Sequence, residues 1–277
     1  VNRHHFALDY FGTPGLRITP QVEGTDAKVT VEAYKDSPEG TVKITIFDAD
    51  GGSVAETECP DGKAVLAIPG VHLWNGREDP YLYEARAQLL VDGEAVDEIS
   101  SRFGVRTFSV DSKEGFFLNG KSYPLHGVSR HQDFKGIGNA ITKEYHDRDM
   151  EMIKEIGANT IRLAHYQHDQ YFYDLCDEAG MIVWAEIPYI SEHMPNGREN
   201  TISQMKELII QNYNHPSIVT WGLSNEITIS TKNTKDMLDN HRVLNDLVHS
   251  MDAARPTVLA CYAMCNPFAR VVHLSDL

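Results

Sequence analysis

Cysteine is scarce in these 277 residues, with Cys59, Cys176, Cys261 and Cys265 the full complement. None stands in a Cys-x-x-Cys pair, so neither a disulfide framework nor a thiolate metal site is expected, and the four read as core thiols. Positive charge is also short: 25 Lys and Arg face 40 Asp and Glu, a formal net charge of −15. Such a chain repels polyanions, so nucleic acid and anionic membrane surfaces are not expected partners. The acidic surplus reads as a solubilising surface. No apolar run approaches the roughly 20 residues of a bilayer span. The opening VNRHHFALDYFGTPG lacks both an initiating Met and the apolar segment of a signal peptide. It reads as the tail of a strand in an excised piece, which leaves cytoplasmic and periplasmic origins both open. No glycine-rich phosphate loop follows any apolar strand, which weighs against nucleotide binding.

What is present divides into two grammars. Hydrophobic content of 42% with 23% charge fits a chain with a real core. Residues 16–110 alternate apolar and polar positions at a period of two, as in LRITPQVE, AKVTVEAYK and TVKITIFDADG. Turn signals at Asp50-Gly51-Gly52 and Asp92-Gly93 separate the runs. About seven short strands in such a length predict an immunoglobulin-like β-sandwich.

Residues 111–277 alternate strands with helices. A hairpin is expected around Asn119-Gly120. Strands are expected at 123–128, 159–163, 181–186, 218–223 and 257–261, with the start of a sixth at 271–274. Thr142 and Thr201 are the expected caps of two intervening helices, the first burying Met150, Ile153 and Ile156. Apolar strands separated by helices mean a parallel sheet, either doubly wound or part of an eight-stranded barrel. In a barrel the strands' C-terminal ends face the site. Those ends carry Arg130-His131, Arg162, His165, Glu186 and Asn225-Glu226.

Several ordered blocks resemble the glycoside hydrolase family 2 enzymes. DYFGTPG, residues 9–15, is similar to the junction leaving the family's N-terminal jelly roll, so residues 1–15 are expected to be a remnant of that domain or a linker from it. WNGREDPYLY resembles the late sandwich signature. RFGVRTF followed by FFLNGKSYPLHGVSRHQD resembles the passage into the barrel. GANTIRLAHYQHDQYFYDLCDEAGMIVWAEI resembles strands two and three with their helix, and NHPSIVTWGLSNE resembles strand four with its acid/base tip. The expected fold is therefore a sandwich followed by an incomplete (β/α)8 TIM barrel of about five strands.

The resemblance implies a retaining exo-β-glycosidase acting on a carbohydrate substrate. Glu226 matches the acid/base, and Asn225 matches the residue that bonds the sugar's 2-hydroxyl. His131 and His165 match histidines of the sugar subsite. Arg162 matches a strand-end arginine that orients the nucleophile carboxylate or holds Glu186 in an ion pair. Trp221 reads as core. β-Galactosidase is the first expectation, with β-glucuronidase, β-mannosidase and a noncatalytic sugar-binding module as alternatives. Some relatives hold a divalent cation on a Glu-x-His element. This chain has Glu192 next to His193 instead, so no metal or other cofactor is carried over. The family's nucleophile belongs to barrel strand seven, so the chain by itself is expected to be inactive. Its open sheet edges are expected to favour self-association, alongside any native homo-oligomer.

Overall fold

The computed structural model describes residues 3–7, 15–36 and 38–277. The chain packs as two compact units, one built mainly on Val1–Pro124 and the other on Leu125–Cys176, Met181–Asn212 and Ser217–Leu277. Residues 9–14 of the DYFGTPG block, and most of the expected jelly-roll remnant, lie outside the described residues.

In the first unit β1 (Leu16–Glu23), β2 (Asp26–Ala33), β3 (Thr41–Phe47), β4 (Ser53–Cys59), β5 (Lys63–Ile68), β6 (Tyr83–Val91) and β7 (Glu94–Phe103) form two antiparallel sheets. Their orders are β1-β2-β5 and β4-β3-β6-β7. Successive side chains point to opposite faces of a strand, so the period-two pattern puts one set inside. That set includes Ile18, Val29 and Val31 from one sheet with Ile44, Ile46, Ala87 and Leu89 from the other. The β6–β7 hairpin turns on Asp92 and Gly93, both with positive φ (53° and 83°), the pair that a tight hairpin requires. A smaller sheet of β8 (Phe108–Asp111), β9 (Gly115–Leu118) and β10 (Lys121–Ser122) follows. Its second turn uses Asn119 and Gly120 in the same way, with φ of 50° and 76°.

The second unit carries β11 (Gly127–Arg130), α1 (Lys143–Glu155), β12 (Thr160–Leu163), α2 (Gln170–Ala179), β13 (Ile182–Glu186), α3 (Arg198–Asn212), β14 (Ile218–Asn225), α4 (Thr234–Met251) and β15 (Thr257–Ala260). The five strands pair in sequence order as one sheet, and every pairing is parallel. β14 is buried along its whole length, which is why it reads as an unbroken apolar run rather than an alternating one. Among the described residues no helix is long and apolar enough to cross a membrane.

Several local expectations are corrected. The first parallel strand begins at Gly127, not Tyr123. Tyr123 N–H instead donates to Phe116 O at 2.9 Å and finishes the preceding hairpin, and Pro124 has no N–H to continue a ladder. Ile156 falls at the C-cap of α1 and is 68% exposed, while Met150 and Ile153 are buried. α3 starts at Arg198, so Thr201 lies inside it and its hydroxyl bonds back to Arg198 O at 2.7 Å. No sixth strand forms at 271–274, where Arg270–His273 makes a 3-10 turn. Cys261 is exposed and Cys265 half-buried, so only Cys59 and Cys176 are core thiols.

Candidate active site

Strand alternation selects what faces the sheet's catalytic end. In β12 Ile161 and Leu163 are buried, whereas Arg162 between them points the other way and stays partly open. Its neighbour in register is Trp184 on β13, and the guanidinium lies 4.5 Å from that ring's centroid. Two residues on, at the tip of β13, Glu186 is fully buried. Arg162 grips it with both arms of its fork: Nε donates to Oε1, and Nη2 donates to Oε2 at 3.0 Å. The same Nη2 lies 2.7 Å from Asn225 Oδ1 and 3.3 Å from His165 Nδ1. Of the two roles expected for Arg162, the structure displays the ion pair with Glu186.

These contacts fix donors and acceptors. Arginine has no acceptor, so His165 Nδ1 and Asn225 Oδ1 must accept. His165 in its neutral form then carries its proton on Nε2, and the Asn225 amide NH2 has no acceptor among the described residues. Electrostatics points the same way. Burial, the Arg162 charge and nearby His131 push the His165 imidazole below its ordinary value, while the Glu226 carboxylate pulls it back. At neutral pH His165 is therefore uncharged. Burial pushes Glu186 above the usual carboxylate range, and Arg162 opposes that shift. The His131 and His165 rings meet edge to face, with centroids 4.8 Å apart.

Asn225 ends β14 and is held from both sides of its backbone. Its N–H donates to Tyr189 O, and its carbonyl accepts from Ser191 N, each at 2.9 Å. Glu226 follows in a left-handed conformation, φ 50°. Its N–H donates to Ala260 O at the end of β15, 2.8 Å away. That turn takes the chain off the strand line while the Glu226 backbone stays anchored to β15.

The structure thus brings Arg162, His165, Glu186 and Asn225 into one bonded cluster, with His131 against His165 and Glu226 close enough to influence His165. Glu186 was visible in the sequence as a strand-end carboxylate, yet its place at the centre of this cluster was not assigned. The signal was positional: it lies two residues beyond Trp184, on the face that meets Arg162. Arg130 ends β11 as expected, but its side chain does not join the cluster. It is buried and bonds Asp149 on α1 instead. Trp221 is fully buried and donates to Asp252 at 3.0 Å, a core residue as expected. The Glu192-His193 pair does not fit a cation site. His193 already uses Nδ1 with the Tyr189 hydroxyl at 2.5 Å and Nε2 with Asp236 Oδ2 at 2.6 Å.

Close packing beneath the cluster depends on Gly222, which pairs with Glu186 across the ladder. A Cβ there would sit 2.4 Å from Glu186 Cγ and 2.6 Å from Trp184 Nε1. Gly222→Ala is expected to destabilise by about 1–3 kcal/mol through overpacking, seen as a lowered thermal midpoint. Gly197→Ala is the control, since its added Cβ would meet nothing closer than 3.7 Å. Equal midpoints for the two variants would refute the packing argument.

Comparison with known proteins agrees with this architecture. Residues 109–273 match the family described as "Glycosyl hydrolases family 2, TIM barrel domain", and residues 14–106 match "Glycosyl hydrolases family 2". The chain is 37% identical to a β-glucuronidase of Bacteroides fragilis, over 91% of this chain and 39% of that protein. It superposes with a TM-score of 0.96 on an FMN-binding β-glucuronidase from Facaelibacterium prausnitzii L2-6, at 42% identity, covering 100% of this chain and 44% of the other. A putative β-galactosidase from Bacteroides fragilis gives 0.89 at 36% identity, covering 99% of this chain and 42% of the other. The chain therefore spans about two fifths of the length of these relatives. With a sandwich and a parallel β/α sheet that both match in chain order, it belongs to glycosyl hydrolase family 2.

Proposed function

We propose that the intact protein is a retaining exo-β-glycosidase in which Glu226 is the acid/base. The observation that carries this reading is the β14 tip. It presents a carboxylate on a backbone anchored to β15, next to an amide whose orientation Arg162 dictates. In the first half-reaction Glu226 donates its proton to the glycosidic oxygen as the bond breaks. In the second it takes a proton from the attacking water. Asn225, with Oδ1 committed to Arg162, offers its NH2 to a sugar hydroxyl oxygen. His165 and His131 line the same subsite, and neutral His165 adds a donor at Nε2.

Double displacement needs a second carboxylate about 5–5.5 Å from the first. Glu186 is a poor nucleophile, because both of its oxygens accept from Arg162. The family resemblance assigns that role to barrel strand seven, which is not among the five strands of this sheet. Glu186 and Arg162 then serve as the rigid floor that orients Asn225.

For the sugar, the relatives' names favour a β-glucuronide over the β-galactoside first expected from the sequence. The two β-glucuronidases are 37% and 42% identical, against 36% for the putative β-galactosidase. A galactosidase is the second reading, supported by that third relative. Nitrophenyl β-glucuronide, β-galactoside and β-mannoside assayed on the intact protein separate them. The glucuronide is expected to give a kcat/KM at least about tenfold above the others, a difference of roughly 1.4 kcal/mol in transition-state binding. A faster galactoside would reverse the assignment. Absence of turnover on the whole panel would favour a sugar-binding role instead.

A further inference from the structure

We propose that Arg130 and His168 form a positioning unit that sets the spacing of the two subsite histidines, His131 and His165. The inference rests on the glycosidase reading for its consequence in catalysis, but its geometry stands apart from it.

Arg130 ends β11 with 5% of its surface exposed. Every nitrogen of its guanidinium is used. Nε and Nη2 reach Asp149 Oδ2 at 2.9 and 2.7 Å. Nη2 also donates to His146 Nδ1 at 3.1 Å, and Nη1 donates to His168 Nδ1 at 3.0 Å. Its flat face lies 3.8 Å from the centre of the Phe172 ring. This is far more bonding than one strand end needs to stay paired.

The bonds have a direction. Arg130 can only donate, so His168 Nδ1 accepts and the neutral ring carries its proton on Nε2. Nε2 donates to Ala164 O at 3.1 Å. Burial pushes His168 down to about 3, so the ring stays neutral throughout the working range. Ala164 is held at its other end too, because its N–H donates to Arg130 O at 3.0 Å. One arginine thus grips Ala164 twice, once through its own carbonyl and once through His168.

The consequence lies one residue further on in each chain segment. His131 follows Arg130, and His165 follows Ala164. Two more bonds tie the segments together: Gln132 N–H to the Tyr166 hydroxyl at 3.0 Å, and Asp169 N–H to Gln132 Oε1 at 2.7 Å. The rings that result stand 4.8 Å apart at 85°. A buried chain of bonds with one fixed donor order has a single satisfied arrangement, and the histidines inherit it. A residue that only held α1 and α2 against the sheet would need Asp149 and Phe172, but not the relay to Ala164.

The test separates those roles in the intact protein. Gln at position 168 can keep the order, accepting from Arg130 through Oε1 and donating to Ala164 O through its amide. Phe keeps the ring and loses both bonds. His168→Phe is expected to raise KM and the inhibition constant of a glycone-shaped lactone about tenfold or more, as small misplacements in a site do. His168→Gln is expected to stay within about threefold of wild type. A crystal structure of His168→Phe should show the two rings displaced from their present separation. A folded His168→Phe protein with unchanged ring spacing, KM and inhibition constant overturns the proposal. If that variant does not fold, Arg130→Lys carries the same readouts, because it keeps the Asp149 charge pair and loses the fork. Glu226→Gln runs alongside. Retained activity there would remove Glu226 as the acid/base, and absence of wild-type turnover would remove the glycosidase reading, while the ring spacing would still decide the positioning claim.

Discussion

Glu226→Gln in the intact protein is expected to lower kcat/KM on an unactivated alkyl glycoside by about 10³-fold or more, within or above the range of roughly 10²–10⁴-fold that positioned acid/base groups contribute. Glutamine matches glutamate in shape and keeps its backbone contacts, so the variant removes the proton and little else. The loss should depend on the leaving group. A dinitrophenolate departs without protonation, so the first step on a dinitrophenyl glycoside is expected to be nearly spared. The second step still lacks its base and becomes rate-limiting. Added azide needs no base, so it should restore turnover and leave a glycosyl azide of retained configuration. A variant with equal losses on both substrates and no response to azide would exclude the acid/base role.

Arg162→Met carries the second large effect, and it falls mainly on stability. Glu186 is fully buried and has Arg162 as its ion-pair partner through both oxygens. Removing one partner of a buried pair leaves an uncompensated charge and costs about 3–5 kcal/mol. The cost depends on pH with a definite sign. Burial already raises the Glu186 pKa in the folded protein, and Arg162 holds that shift back. Without Arg162 the folded carboxyl holds its proton more tightly than the unfolded one, whose ordinary pKa is about 4.3. Stability tied to that proton is fully present below the ordinary value and is lost as pH rises through the folded value. Arg162→Met should therefore unfold at a temperature near wild type in mild acid and fall progressively behind toward pH 8. Activity should fall as well, because the Asn225 amide loses the bond that orients it. A thermal midpoint that tracks wild type at every pH would rule out the buried pair as a stabilising element.

Much of this arrangement was legible in the sequence because the relevant physics is local. Period-two alternation gave the sandwich strands, and Asp92-Gly93 and Asn119-Gly120 gave their turns. Strand ends gave Glu226, Asn225, His131, His165 and Arg162, since a parallel sheet puts its C-terminal ends together. The failures share a cause. Arg130 sits at a strand end like the others, but α1 offers it Asp149 and α2 offers it Phe172, and no local pattern reveals which face wins. Thr201 looked like a helix cap, yet the helix begins a turn earlier, at Arg198. Ile156 belongs to the apolar series of α1 by spacing but lies past its last turn. Cys261 and Cys265 carry no periodic signal at all, and composition alone put them in a core they do not join. Glu186 shows the limit most clearly. Its central role comes from a fork-shaped contact with a residue 24 positions away.

The left-handed backbone at Glu226 has one more consequence. Glycine or asparagine would adopt that conformation more comfortably than glutamate. The chain therefore carries, at the proposed acid/base position, a side chain that its own backbone disfavours. A directed-evolution screen that rewards heat resistance and ignores turnover should drift away from glutamate at this position first. If Glu226 serves as proposed, the position is one where foldability and chemistry make opposing demands.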